Sequence, residues 1–193
     1  KIGNKKGVAL SLGNIALIHE RRLEYVEAVD VHLQSLLIKE EISDTIGMSN
    51  TYGNLANIYL YTGQYDQALD NIQKCLEIKK QTRDTAAIAM AWQNMANINL
   101  AMGDTTLAIE NYLRAQDYWE GIGDRKGQAL TLNNLGSVYE KLNEDEKAMD
   151  AFERSIAIRR SLNDAHGIGN CLGNISIIYL KRGDYANAEK TSL

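Results

Sequence analysis

The chain has 193 residues, a net charge of −4, 45% hydrophobic residues and 24% charged residues. These values are ordinary for a soluble folded protein and exclude an intrinsically disordered chain. No apolar run approaches the ~20 residues of a membrane span, and no Lys/Arg stripe favours a nucleic-acid or membrane partner. We expect a cytoplasmic segment without a signal peptide that begins partway through a longer protein, because it opens at Lys1 without Met.

A short string containing Asn recurs five times at a fixed step of 40 residues: Gly13-Asn14-Ile15, Gly53-Asn54-Leu55, Gln93-Asn94-Met95, Asn133-Asn134-Leu135 and Gly173-Asn174-Ile175. A fixed period of this size predicts a stacked repeat array. We predict a single array over 1–193. Residues 1–8 would end a preceding repeat, and residues 169–193 would form a partial one. The full repeats between them are predicted at 9–48, 49–88, 89–128 and 129–168.

Each repeat is predicted to hold two antiparallel helices, which in the second repeat run over 45–61 (helix A) and 65–81 (helix B). Hydrophobic residues recur there at helical spacing, and Pro is absent from the chain. The turn between the helices is marked by residues that tolerate a left-handed conformation, namely Gly63, Gly103, Asn143 and Gly183. Leu23 stands in this slot in the first repeat, so we expect that turn to differ.

The turn that leads into helix A carries a short polar residue, again at a step of 40: Asn4, Asp44, Asp84, Asp124 and Asp164. Such a side chain accepts hydrogen bonds from the free N–H groups at the start of a helix. The sequence therefore predicts that these residues cap the five A helices.

The fourth repeat reads Leu135-Gly136-x-x-Tyr139 and then Ala148-x-x-x-Phe152, and the small residue recurs as Ala28, Ala68, Ala108 and Ala188. This pattern resembles the tetratricopeptide repeat (TPR) family. The resemblance implies an all-α, right-handed superhelical solenoid of about four and a half repeats. The period of 40 exceeds the usual 34 and the usual Pro is missing, and longer helices explain both differences. HEAT repeats share the period but lack this residue set.

Helix A has a second stripe, which the core does not explain. In the second repeat it holds Asn50, Asn54, Asn57 and Tyr61, and Asn97 takes the Asn57 position in the third. An Asn amide can both donate to and accept from a peptide backbone. The Gly beside it costs ~1 kcal/mol inside a helix, which close approach of a neighbouring helix or a ligand would offset.

The stripe resembles the asparagine ladder of TPR proteins that clamp an extended peptide, such as Pins-type adaptors and bacterial Rap-type receptors. The resemblance implies a binding column made of Asn14, Asn54, Asn94, Asn134 and Asn174. A structural alternative remains open, in which these residues brace helix B of the next repeat. Recognition of a terminal carboxylate is disfavoured, because the only cations on the stripe are Arg21, Lys141 and Lys181, each at its far end.

The predicted function is a non-catalytic scaffold that binds an extended peptide or protein segment. The alternative is a regulatory module of a larger signalling protein, such as a kinase, a cyclase or a peptide receptor. We expect no cofactor and no metal, and we interpret His19, His32 and His166 as variants of repeat positions. Cys75 and Cys171 lie too far apart in the chain to bridge. Self-association through uncapped repeat ends is a further expectation.

Overall fold

A computed structural model describes residues 2–192 of the chain, with side chains over residues 4–191. Residues 2–192 form ten α-helices and no strand, which confirms the predicted all-α class. The helices are Ile2–Arg21 (α1), Tyr25–Glu41 (α2), Thr45–Tyr61 (α3), Tyr65–Thr82 (α4), Thr85–Ala101 (α5), Thr105–Gly121 (α6), Arg125–Lys141 (α7), Asp145–Ser161 (α8), Ala165–Lys181 (α9) and Tyr185–Ser192 (α10). The two helices predicted in the second repeat are confirmed to within one residue.

Every turn between two of these helices contains one residue in the left-handed conformation. These residues lie 20 apart: Leu23, Ser43, Gly63, Arg83, Gly103, Gly123, Asn143, Asn163 and Gly183. The Gly63 N–H donates to the Leu60 carbonyl at 3.2 Å, and the Gln64 N–H donates to the Tyr59 carbonyl at 2.8 Å. The same pair of bonds recurs at each turn. This Schellman pattern provides donors for carbonyls that the helix end leaves free.

The turn at Leu23 follows the same pattern, so the expectation that it would differ is wrong. Leu23 has a φ of 61°, and its N–H donates to the Glu20 carbonyl at 2.9 Å. The Glu24 N–H completes the pattern by donating to the His19 carbonyl at 3.0 Å. The two hydrogen bonds hold a leucine in a conformation that costs ~1–2 kcal/mol for an L-residue.

The four predicted aspartate caps are confirmed. Asp44 Oδ1 accepts from the Gly47 N–H at 3.0 Å, and equivalent bonds are made by Asp84, Asp124 and Asp164. The Asn4 prediction is wrong, because α1 begins at Ile2 and Asn4 lies inside its first turn. At Asp164 the bond from the Gly167 N–H, together with one from Arg159, lowers the pKa of the carboxyl group.

The chain divides into two compact units, with unit 1 ending at Asp104 and unit 2 beginning at Thr105. In unit 1, each helix from α1 to α4 packs against the next one, and α3 also contacts α5. In unit 2, each helix from α6 to α9 packs against the next one, and α7 also contacts α9. Contacts between sequence neighbours are typical of repeat proteins.

The predicted repeat boundaries remain a prediction. Residues 9, 49, 89, 129 and 169 fall inside α1, α3, α5, α7 and α9, so each predicted repeat runs from within one of these helices to within the next. Residues 2–8, predicted to end a preceding repeat, form the first part of α1. The C-terminal repeat end, through which self-association is expected, includes Leu193, which lies outside the described residues.

Small residues allow successive helices to pack closely. The predicted alanine column is buried throughout: Ala28, Ala68, Ala108, Ala148 and Ala188. At Gly136 in α7, an added Cβ would lie 2.6 Å from the Phe152 ring of α8, which only glycine avoids. Phe152 is the centre of a buried cluster with Ile156 and Ile175. The TPR-like residues therefore fix the distance between helices A and B.

We expect Ala68→Leu to lower the free energy of unfolding by about 1–3 kcal/mol, because Ala68 is fully buried and a larger side chain would overpack the helix pair. Urea unfolding of the purified chain measures this change. Gln73→Leu is the matched control, because Gln73 is exposed on the same helix. Equal stability of the two variants would mean that the alanine column does not set the helix spacing.

Candidate functional site

The asparagine column lies on the face of the A helices that the core does not cover. Asn14 is exposed, whereas Asn54 and Asn94 in unit 1 and Asn134 and Asn174 in unit 2 are partly buried. In unit 1 the column borders two clefts. The first cleft, of about 340 Å³, lies between α1 and α3 and is lined by Asn14, Asn50 and Asn54. The second, of about 230 Å³, lies between α3 and α5 and is lined by Asn50, Asn54, Asn57 and Asn94.

Asn50 and Asn54 line both clefts, so these two residues form the wall between them. The predicted residues of α1, α3 and α5 therefore come together around one helix, α3. Tyr61, at the far end of the same stripe, borders neither cleft. It is 76% exposed and stacks on Tyr25, with ring centroids 6.4 Å apart and an interplanar angle of 16°.

Most of the column makes no side-chain hydrogen bond. Among the described residues, no partner is present for the amides of Asn14, Asn54, Asn134 and Asn174. Asn94 Nδ2 donates to Asn57 Oδ1 at a long 3.4 Å, which links α5 to α3 rather than to a B helix. Bonds from these side chains to B helices, which the bracing alternative would favour, are not seen among the described residues, and the role of the column remains a prediction.

Two lysines from the B helices enter this site, and the sequence analysis missed them. Lys79 of α4 lines the second cleft; it is 7% exposed, and its Nζ donates to Asn50 Oδ1 at 2.9 Å. Lys39 of α2 lines the first cleft, where its Nζ donates to Thr51 Oγ1 at 2.6 Å. The cations near the column therefore include lysines of the B helices, in addition to those at the far end of the helix-A stripe.

The two ammonium groups are held differently. Lys79 Nζ lies 3.9 Å from Asp84 Oδ2, so a carboxylate partly compensates its burial. For Lys39, burial lowers the pKa of the ammonium group, and the charge of Asp44 raises it to a smaller extent. Both lysines lie in the last turn of a B helix, 40 residues apart, and Arg159 follows at a further 80. This recurrence of a basic residue at the end of the B helices is the sequence pattern that could have indicated the two lysines.

In unit 2 the equivalent cation is closed off. Arg159 of α8 donates to Ser155 Oγ at 3.1 Å and is also bonded to Asp164. Gly167 lies against its guanidinium group and leaves no space there for a Cβ. The Asn134 and Asn174 stripe of unit 2 therefore lacks a lysine like Lys39, whose ammonium group lines the first cleft.

The glycines beside the asparagines are not explained by helix packing. A Cβ at Gly53 would lie 3.7 Å from Cys75 Sγ, an ordinary contact, and at Gly173 nothing described lies within 4 Å. At Gly13 the nearest atom would be Lys39 Nζ, at 3.9 Å. Of the two alternatives, close approach of a neighbouring helix is therefore not seen: a methyl group would fit in ordinary contact at Gly13 and Gly53, and Gly173 faces open space.

Exposed apolar side chains flank the column. Leu10 and Leu17 of α1 border the first cleft, and Met90 of α5 borders the second. Their exposed fractions are 66%, 40% and 58%. In unit 2, Leu130 and Ile177 are exposed at positions on the same stripe of α7 and α9. The site therefore combines free amides, two lysines and accessible apolar surface.

The other candidate residues are buried or hydrogen-bonded. His32 is buried, with its Nε2 2.6 Å from Glu20 Oε1, and His19 Nδ1 lies 2.6 Å from Glu24 Oε2. Both cysteines are buried free thiols, and burial raises the pKa of Cys75. No group of three or more His, Cys, Asp or Glu side chains suited to a metal occurs among residues 4–191. None of the helices in residues 2–192 has the length and apolar character to cross a membrane.

A family model described as tetratricopeptide repeat matches residues 7–81 and 85–161, which is more than half of the chain. The chain belongs to the tetratricopeptide repeat family. Its TPR fold is of the kind that generally serves as a non-catalytic scaffold for protein interactions or as a regulatory module. No curated protein matches the sequence significantly.

Solved structures of TPR proteins have a similar fold. BtubC from P. vanneervenii is 20% identical with a TM-score of 0.84, over 97% of this chain and 78% of that one. RapI is 16% identical with a TM-score of 0.82, over 93% of this chain and 50% of that one. A signal transduction ATPase from Pyrococcus horikoshii, which has a tetratricopeptide repeat sensor, is 17% identical with a TM-score of 0.84. There the match covers 95% of this chain but 28% of the ATPase.

We expect Gly53→Ala to raise the free energy of unfolding by about 0.5–1 kcal/mol, because the site has room for a methyl group and alanine is the better helix former. Thermal unfolding followed by circular dichroism measures the change. The matched control is Gly136→Ala, which must destabilise the protein, because its methyl group would overlap the Phe152 ring. A lower free energy of unfolding for Gly53→Ala would instead indicate that this glycine is needed for helix packing.

Proposed function

We propose that this TPR protein is a non-catalytic scaffold that binds an extended peptide segment along the asparagine column of unit 1. The observation that carries the proposal is the unbonded amide of Asn54 on the wall between two clefts. Helix propensity disfavours Asn and Gly at these positions. A ligand that uses the free amide and the open space beside it would account for both residues.

The chemistry suits a peptide backbone. An Asn amide offers one acceptor and two donor hydrogens, so Asn14 and Asn54 can each bond a C=O and an N–H of an extended chain. Such bonds do not depend on the ligand's side chains. Asn94, Asn97 and Asn57 would extend the contact surface on the α5 side, with Asn50 held in place by Lys79. Asn134 and Asn174 would act in the same way in unit 2.

The residues around the column determine which side chains the peptide should carry. Leu10, Leu17 and Met90 favour apolar side chains, since each leaves a large exposed surface at a cleft. Lys39 and Lys79 favour acidic groups, because a partly desolvated ammonium is stabilised by a carboxylate. We therefore expect the ligand to combine apolar and acidic residues around the backbone segment that Asn54 binds.

A regulatory role in a larger signalling protein is the second candidate. The similarity to RapI and to a repeat sensor within a signal transduction ATPase supports it, and the chain spans half of the one and less than a third of the other. In this role, peptide binding would control an output domain elsewhere in the same protein. The activity of a full-length protein, measured with and without the selected peptide, distinguishes the two. An activity that the peptide does not change would favour the scaffold role over the regulatory role.

The proposed function predicts that Asn54→Ala weakens peptide binding about tenfold or more, through the loss of two backbone hydrogen bonds. Its melting temperature should stay close to that of the parent, because the amide has no partner to lose. A random peptide library, selected on the whole purified chain, supplies the ligand. Fluorescence anisotropy of the tightest peptide then gives the dissociation constants.

Gln73→Ala on the outer face of α4 is the control and should bind as the parent does. Lys79→Gln should weaken the binding of peptides with an acidic residue more than that of their Asn-substituted or Gln-substituted versions. A well-folded parent that selects no peptide would refute the proposal. So would an Asn54→Ala variant that binds normally, because the column would then have no part in recognition.

A further inference from the structure

Helix α2 exposes an apolar stripe on its outer face, away from the asparagine column. The stripe consists of Val26, Leu33 and Leu37, whose exposed fractions are 81%, 43% and 66%. Their spacing of i, i+7 and i+11 places them within about 40° of one another around the helix. Exposed branched side chains grouped on one face of a helix are typical of an interaction surface rather than of a solvated helix.

The repeat itself does not require apolar residues there. The residues 40 positions later, on α4, are Asp66, Gln73 and Glu77, and all three are exposed. The α8 equivalents begin with Glu146 and Glu153, which are also exposed. A B helix in this fold is therefore compatible with a polar outer stripe. Because the equivalent positions of α4 are polar, packing of the repeat does not require apolar side chains at these positions of α2.

Acidic side chains border the stripe on one side. Asp30 lies about 40° from Val26 on the helix circumference, and Glu27 lies beyond Asp30. Glu40 lies on the other side, where it interacts with Tyr52 of α3 and with the Lys74 ammonium group of α4. All three acids are exposed. The one lysine of α2 is Lys39, which faces the first cleft and bonds Thr51. The acids that remain for a partner beside the stripe are therefore Glu27 and Asp30, on one side of it.

A small cleft adjoins one end of the stripe. Val26 lines it together with Val29, Ile58 and Tyr59, and its volume is about 250 Å³. It lies between α2 and α3 within unit 1. A cleft of this size accommodates one large apolar side chain from a molecule lying along α2.

We propose that the outer face of α2 binds a basic amphipathic helix of a partner protein. The helix would lay its apolar face along Val26, Leu33 and Leu37, insert one side chain beside Val29, and place Lys or Arg residues against Glu27 and Asp30. Apolar burial supplies the affinity and the opposite charges supply orientation and selectivity. This surface is separate from the asparagine column, so both ligands can bind at once.

The test uses the whole purified chain and two fluorescent peptides of about 18 residues, long enough to follow α2. Both carry the same leucine face, one flanked by Lys and the other by Glu. Anisotropy titration should give at least about tenfold tighter binding of the Lys peptide, with the preference lost at high salt. Equal binding of the two peptides, or no binding of the Lys peptide, would overturn the proposal.

The decisive variant is V26D/L33Q/L37E, which gives α2 the outer stripe of α4. It should keep the circular dichroism of the parent and bind the Lys peptide at least about tenfold more weakly. If it fails to fold, Leu37→Glu alone is used, because this side chain is 66% exposed. Leu113→Gln on α6, at the position equivalent to Leu33, is the matched control and should bind normally. Normal binding by the α2 variant would refute the assignment.

Two further measurements distinguish this surface from the asparagine column and from a self-association interface. Asn54→Ala should leave binding of the Lys peptide unchanged, so that failure of the asparagine proposal does not affect this one. Sedimentation velocity tests whether the stripe instead binds a second copy of the chain. A concentration-dependent dimer of the parent that is absent in V26D/L33Q/L37E would show that the occupant is the protein itself, which would overturn the partner-helix proposal.

Discussion

A pair of backbone hydrogen bonds at the end of each helix is the constraint on which the other features depend. The bonds hold one left-handed residue every 20 positions from Leu23 to Gly183, and they do so for Gly, Asn, Ser, Arg and Leu alike. Each turn therefore reverses the chain after a helix of nearly constant length. Because the helices have nearly equal lengths, equivalent positions of successive repeats meet in the same way. The alanine column is therefore buried, and the asparagine column stays accessible.

The sequence is sufficient to predict the helices, three of the left-handed glycines and the aspartate caps, because each depends on local chemistry that recurs at a fixed step. It does not predict Leu23, Ser43 or Arg83 as left-handed residues, since the turn geometry there overrides their own preference. The lysines of the site were missed for a different reason. Lys39 and Lys79 belong to B helices, and only their long side chains reach the face formed by the A helices.

The candidate site is formed from residues that do not favour helix stability. Asn54 has an unbonded amide, Gly53 has space for a side chain that it lacks, and Lys79 is a nearly buried cation. Packing explains Gly136 fully, through the Phe152 ring, but it explains none of these three. The two glycines thus show how the same residue type is used for packing in one place and for access in another, a difference that sequence spacing alone does not reveal.

The pattern of helix contacts has a kinetic consequence. Because the helices of unit 1 touch mainly their sequence neighbours, its contact order is low, and α1 can fray without disrupting α4 or α5. Fraying would open the first cleft, which α1 helps to line, while the second cleft is built from α3, α4 and α5 alone. Hydrogen exchange should therefore be faster around Asn14 than around Asn94, and the column would act as a graded set of contacts rather than as a single rigid groove.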